Sequence, residues 1–136
     1  MTSVEEAFLL LSHAGNYLRY AETNRRSGIY GPAVSMAYYA SFYAAQAVVA
    51  YHRKGPKTHK GVRNLFRQLA VVESDFPHEV ASVIAHLATS RIRADYDHET
   101  MDDWTDADAS DAIRRARTFV EEVNAWFTRH HPPDAH

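Results

Sequence analysis

Gly31-Pro32-Ala33-Val34-Ser35-Met36-Ala37-Tyr38-Tyr39-Ala40-Ser41-Phe42-Tyr43-Ala44-Ala45-Gln46-Ala47-Val48-Val49-Ala50-Tyr51 is the stretch whose reading decides the fold. No charged side chain falls between Ala33 and Val49, and the polar ones there are Ser35, Ser41, Gln46 and the phenols of Tyr38, Tyr39 and Tyr43. Ala33, Ala37, Ala40, Ala44 and Ala47 recur at helical spacing, as do Val34, Tyr38, Phe42, Ala45 and Val49. A helix apolar along two stripes is enclosed by other elements. Its alanine row admits a close neighbouring backbone while its aromatic row fills volume, which suits the central helix of a bundle. Proline in a first helical turn lacks only an N–H that would have had no partner, so the spacing predicts a start at Pro32 with Gly31 as N-cap. A membrane span is the poorer reading of the run. It is short for a bilayer, carries many tyrosines, and is followed at once by His52, Arg53 and Lys54.

Outward from this helix, composition sets the limits. A chain of 136 residues with 46% hydrophobic content has material for one core, so a single domain over residues 1–136 is expected. The net charge of −2 carries no global nucleic-acid signature, yet six of the 15 lysines and arginines lie between Arg53 and Arg67, and acids crowd Glu99 to Asp111. Cysteine is absent, which excludes disulfides and thiolate metal sites and makes a cytoplasmic setting the simplest expectation. Glu5 and Glu6 stand where a signal peptide would be basic, so no export is expected.

The remaining patterns are also helical. Thr2 or Ser3 caps a first helix with Val4, Ala7, Phe8, Leu11, Ala14, Leu18 and Ala21 at helical spacing, ending near Arg26-Ser27-Gly28. The central helix runs out at His52-Arg53-Lys54-Gly55-Pro56. Thr58 caps a short third helix with Val62, Leu65, Phe66, Leu69 and Val72 as its apolar positions, and the chain restarts around Ser74-Asp75-Phe76-Pro77 into a fourth with Val80, Val83, Ile84 and Leu87 on one face. Asp97 to Asp103 is acidic, lacks apolar periodicity and reads as a loop. Thr105-Asp106-Ala107-Asp108 has the form of a capping box and leads into a last helix through Ala112, Ile113, Ala116, Phe119, Val120, Val123 and Phe127. No strand pattern or repeat is visible. The expected fold class is all-α, an antiparallel up-down bundle of about five helices.

Chemistry concentrates at the end of the fourth helix, in Ser90-Arg91-Ile92-Arg93-Ala94-Asp95-Tyr96-Asp97-His98. One more turn of the stripe through Val80, Ile84 and Leu87 lands on Arg91, placing a guanidinium on the inward face. Asp95, four residues on, is a ready partner, and His98 lies near the same face if the helix persists, whereas Arg93 is turned away toward solvent or a partner. On residues alone, a structural Arg91–Asp95 ion pair with an incidental His98 competes with a functional site.

Ala37-Tyr38-Tyr39-Ala40-Ser41-Phe42-Tyr43-Ala44-Ala45, Thr58-His59-Lys60-Gly61-Val62 followed by Phe66, and Arg91-Ile92-Arg93-Ala94-Asp95-Tyr96, in this order and at these separations, resemble the HEPN domain family, in its branch with an Ala-Asp-Tyr motif. The resemblance covers nearly the whole chain. It implies a helical bundle that pairs as a homodimer, and a metal-independent endoribonuclease or a toxin partnered by a nucleotidyltransferase-like antitoxin. The family's signature is an arginine followed after four to six residues by a histidine. Arg93 and His98 have four residues between them and Arg91 and His98 have six, of which the Arg91 register is favoured; Tyr96 is the alternative occupant of the histidine's place.

On that resemblance, His98 would move a proton at a ribose 2′-OH or a leaving 5′-oxygen, and Arg91 would hold the scissile phosphate. Tyr96 would stack on a base or orient the phosphate, and Asp95 would orient Arg91, in single-stranded RNA cleavage leaving a 2′,3′-cyclic phosphate. Arg53, Lys54, Lys57, Lys60, Arg63 and Arg67 form the expected phosphate-tracking surface, with a solvated helix face as the plain alternative. His59 and the pair His130-His131 lack acidic neighbours at metal-ligand spacing, so neither a metal nor another cofactor is expected. A second function class stays open: a non-catalytic module that uses the same cleft to bind a nucleotide, a nucleic acid or a partner protein.

Overall fold

The computed structural model describes residues 1–96 and 103–131, without the side chain of Tyr96. Helices α1 (Ser3–Arg26), α2 (Tyr30–Tyr51), α3 (His59–Phe66), α4 (His78–Tyr96) and α5 (Asp106–His130) form an all-α bundle, and no strand occurs among the described residues. Within the described residues no helix is long and apolar enough to cross a membrane.

The bundle is built around α2, which packs against all four other helices. Fifteen of its 22 residues are buried, as its charge-free sequence requires. The face of α1 that meets it carries Ala7, Ala14 and Ala21, each fully buried and seven residues apart. Side chains of one carbon let the two backbones approach closely. Thr2 and Glu5 form a reciprocal cap at the start of α1, and Gly28 ends it in the left-handed conformation with φ of 77°.

In two places the structure departs from the spacing. Helix α2 starts at Tyr30, not Pro32, with Ile29 as its N-cap and no side-chain cap, so Gly31 lies inside the first turn. That position is buried against Trp104, and a Cβ on Gly31 would stand 3.3 Å from the indole Cδ1. The glycine therefore makes room for a neighbour and does not cap. Proline tolerates the inner position because the N–H groups of a first turn have no helical acceptor. Second, the chain after Phe66 widens into a π-helical turn over Arg67–Val72. The wider turn carries Ala70 inward and leaves Val72, expected on the apolar face, 62% exposed. Phe76 then folds back, donating its N–H to Ala70 O and packing its ring on Phe66 and Phe119 at centroid distances of 5.1 and 5.7 Å.

Ser74 and Asp75, between the π-helical turn and α4, are fastened to the end of α5. Trp126 Nε1 donates to Ser74 Oγ, and Asp75 accepts from Arg129 Nε at 3.0 Å and pairs with His130 Nε2 at 2.7 Å. Thr105 caps α5 through a capping box with Asp108, as its sequence predicts.

Candidate functional site

Val80, Ile84 and Leu87 carry the inward stripe of α4 to Arg91, whose side chain is only 15% exposed. Its guanidinium lies over the rings of Tyr38 and Tyr39, with Cζ 5.1 and 5.8 Å from their centroids, an attraction between a cation and π-electron faces. Nη1 is 3.7 Å from Asp95 Oδ2, a loose ion pair, and Asp95 in turn accepts a hydrogen bond from Ser35 Oγ on α2. Arg91 Nε is buried without a hydrogen-bond partner among the described residues. An arginine so placed has unsaturated donor capacity, because a guanidinium carries five N–H groups in a fixed fork.

Tyr38 joins this arginine to α3. The ring is fully buried, and a buried phenol oxygen requires polar partners. Arg63 Nη1 donates to Tyr38 Oη at 3.1 Å, and the same oxygen is hydrogen-bonded to His59 Nδ1 at 3.0 Å. The His59 ring is stacked on Phe42 at 4.0 Å between centroids. Thr58 fixes the start of α3 by accepting from Gly61 N at 2.9 Å, which holds His59 in the first turn, beside α2. Burial, with the charges of Arg91 and Arg63, lowers the His59 pKa below the ordinary imidazole value. The result is an aromatic-lined cluster in which Arg63, Arg91 and the His59 imidazole meet around one buried phenol.

The expected residues divide as follows. Arg91 and Asp95 are together. Arg93 is exposed and turned from them, with Cζ 4.8 Å from the Trp104 ring. Tyr96 ends α4 by its backbone, its side chain lies outside the described residues, and so does His98 entirely. Within the basic stretch, Arg53, Lys54, Lys57, Lys60 and Arg67 are exposed, whereas Arg63 turns in to Tyr38. Lys60, Arg63 and Arg67 border a groove of about 230 Å³ between α3 and α4, and Lys57 borders one of about 290 Å³ beside His59. No cluster of three or more metal-ligating side chains occurs among the described residues, and His130 is engaged by Asp75.

Sequence reasoning missed His59 and Tyr38 as parts of the site, weighing the first only as a metal ligand and placing the second in an apolar row. A signal existed for Tyr38: a hydroxyl on the most enclosed helix has to find a partner. For His59 the segment Thr58-His59-Lys60-Gly61-Val62 marked the position through the resemblance but not its surroundings, because the charge of Arg91 reaches it across more than thirty residues of sequence.

The HEPN domain family model matches residues 7–126. A protein of Methanocaldococcus jannaschii named "Putative toxin MJ0605" is 31% identical over 119 residues, which cover 88% of this chain and 87% of that protein.

Proposed function

Because the chain belongs to the HEPN domain family, we propose that it is a toxin-like member acting as a metal-independent endoribonuclease on single-stranded RNA, with Arg91 at the centre of the site. The observation that carries this reading is the guanidinium of Arg91: sheltered from water, held over two tyrosine rings, only loosely paired with Asp95, and with its Nε unpartnered among the described residues. A donor kept poor in acceptors and rich in charge binds a phosphodiester more strongly as charge gathers on its oxygens during displacement. His98 supplies proton transfer and Tyr96 contacts the nucleotide. Asp95, held by Ser35, restrains the Arg91 fork, and Lys57, Lys60 and Arg67, with Arg53 and Lys54 beyond the end of α2, guide the backbone of the strand. Unpaired RNA is the fitting substrate because a duplex resists in-line geometry. The functional unit in this reading is a homodimer, neutralised in the cell by a nucleotidyltransferase-like antitoxin.

The test is the fate of a single-stranded oligoribonucleotide incubated with purified protein in EDTA. Cleavage into fragments with 2′,3′-cyclic phosphate and 5′-hydroxyl ends is expected. Intact RNA that nevertheless binds, with affinity lost on Arg91→Ala, would replace this reading with that of a non-catalytic binding module.

A further inference from the structure

The groove between α3 and α4 has a chemistry that guiding a phosphate backbone leaves unused. Lys60, Arg63, Asn64 and Arg67 border it from one side, at spacings of three and four that put them on one face of α3 and of the turn that continues it. Ala81, Ser82 and Ala85 face them from α4, and Phe66 and Ile84, 1% and 4% exposed, close the floor. No carboxylate borders the groove, and Lys60, Arg63 and Arg67 form no ion pair among the described residues. Like charges one helical turn apart repel, so the wall is complemented only when an anion lies along it.

We propose that this groove takes one unpaired base of the RNA strand, with the flanking phosphates on Lys60 and Arg67 and the edge of the base read by Asn64. The inference rests on the reading of the chain as a protein that acts on RNA, and not on cleavage. A volume of about 230 Å³ falls below the roughly 300–1,000 Å³ of pockets that enclose drug-sized ligands, which leaves room for one planar ring against an apolar floor. A protein helix laid in a groove needs an anchor at every turn, and this groove has space for a single one.

Asn64 gives the slot its selectivity. Ser82 Oγ already donates to Glu79 O, whereas the Asn64 side chain makes no hydrogen bond among the described residues. Its amide presents a donor and an acceptor side by side, the pairing that the edge of an unpaired base can match with two hydrogen bonds. A duplex hides those edges, so the slot fits the single strand that Arg91 also requires. Arg63 joins the two places: it borders the groove, and its Nη1 donates to the phenol of Tyr38, whose ring lies beneath Arg91.

Binding is measured by fluorescence anisotropy on the full chain, with short labelled 2′-O-methyl strands of adenine, cytosine or uracil. The blocked 2′-oxygen cannot attack, so the readout is independent of whether the protein cuts RNA. The wild type is expected to bind one of the three at least about fivefold more tightly than the others, the lower range for a two-bond contact to a base edge. Asn64→Ala should level the three, whereas Arg67→Ala should weaken all of them alike and flatten the salt dependence. Ala85→Trp, at an exposed position of α4, fills the groove and should also level them. The methyl resonances of Ile84 should move with the preferred strand and stay in place with inorganic phosphate. Absent or base-blind binding by the wild type, or a preference that survives Asn64→Ala or Ala85→Trp, would overturn the proposal. So would a glutamate-rich peptide that moves the Ile84 resonances where the strands do not, which would assign the groove to an acidic protein partner.

Discussion

Arg91 is where stability and function separate at the scale of one residue. Its pairing with Asp95 is loose at 3.7 Å, the carboxylate is 28% exposed and already accepts from Ser35, so removing the arginine does not strand a buried charge. A loose, part-exposed ion pair contributes roughly 0–1 kcal/mol, so the loss of one partner costs little. Arg91→Met is therefore expected to shift unfolding free energy by less than about 1 kcal/mol in denaturant titration. A loss above about 3 kcal/mol, the cost of breaking a well-made buried ion pair, would mark the arginine as structural. The sequence made Arg91 visible, because a charge that falls on an apolar stripe stands out against the helical period. The tyrosine faces beneath it were not visible, since Tyr38 reads as core until its hydroxyl is seen to meet Arg63 and His59.

At the scale of elements, helix starts with Ser or Thr capping were readable and helix interiors that change pitch were not. Thr2, Thr58 and Thr105 each accept from the backbone three residues on, a local bond that spacing alone reveals. The π-helical turn at Arg67–Val72 answers instead to Phe76 and Phe119, which lie nine and 52 residues away from Arg67. Helix ends give a pair of opposed predictions. Gly28 and Arg53 occupy equivalent left-handed positions after α1 and α2, with φ of 77° and 60°. Each is followed by a residue whose N–H reaches back to the last turn. Gly28→Ala should destabilise by about 1 kcal/mol and Arg53→Gly should stabilise by a similar amount, because the left-handed region costs a side chain that much. Thermal unfolding measures both, and equal signs would contradict the account.

The clip between Asp75 and the end of α5 gives the pH dependence of the same scale. Hydrogen bonds from His130 and Arg129 hold the Asp75 carboxyl down to about 2 from its ordinary 3.8. A carboxyl lowered on folding contributes stability that is present above pH 4 and fades as pH falls toward 2. Asp75→Asn should lower the melting temperature at pH 6 and make little difference at pH 2. An equal effect at both values would mean that the charge of Asp75 plays no part in fastening the loop.

For the whole molecule, the bundle was legible because α2 carries no charge through its middle and has to be surrounded. Its 15 buried residues meet that demand within one chain. A further surface remains: Ile92, next to Arg91, is 54% exposed, and Phe8, Leu9, Tyr20 and Ile29 are each more than 40% exposed. A two-fold homodimer with the two Arg91 segments lining one groove is the assembly expected, and light scattering at micromolar concentration should return twice the chain mass. A strict monomer would contradict it. The central claim, that this bundle exists to hold one arginine ready for a phosphodiester, is tested most directly by single-turnover cleavage of single-stranded RNA in EDTA by wild type, Arg91→Met and Arg93→Ala. The expected result is cleavage by the wild type, a loss of at least about a hundredfold in Arg91→Met and a far smaller loss in Arg93→Ala. Wild-type protein that leaves the RNA intact, or an Arg91→Met variant that cleaves it as fast, would contradict the account.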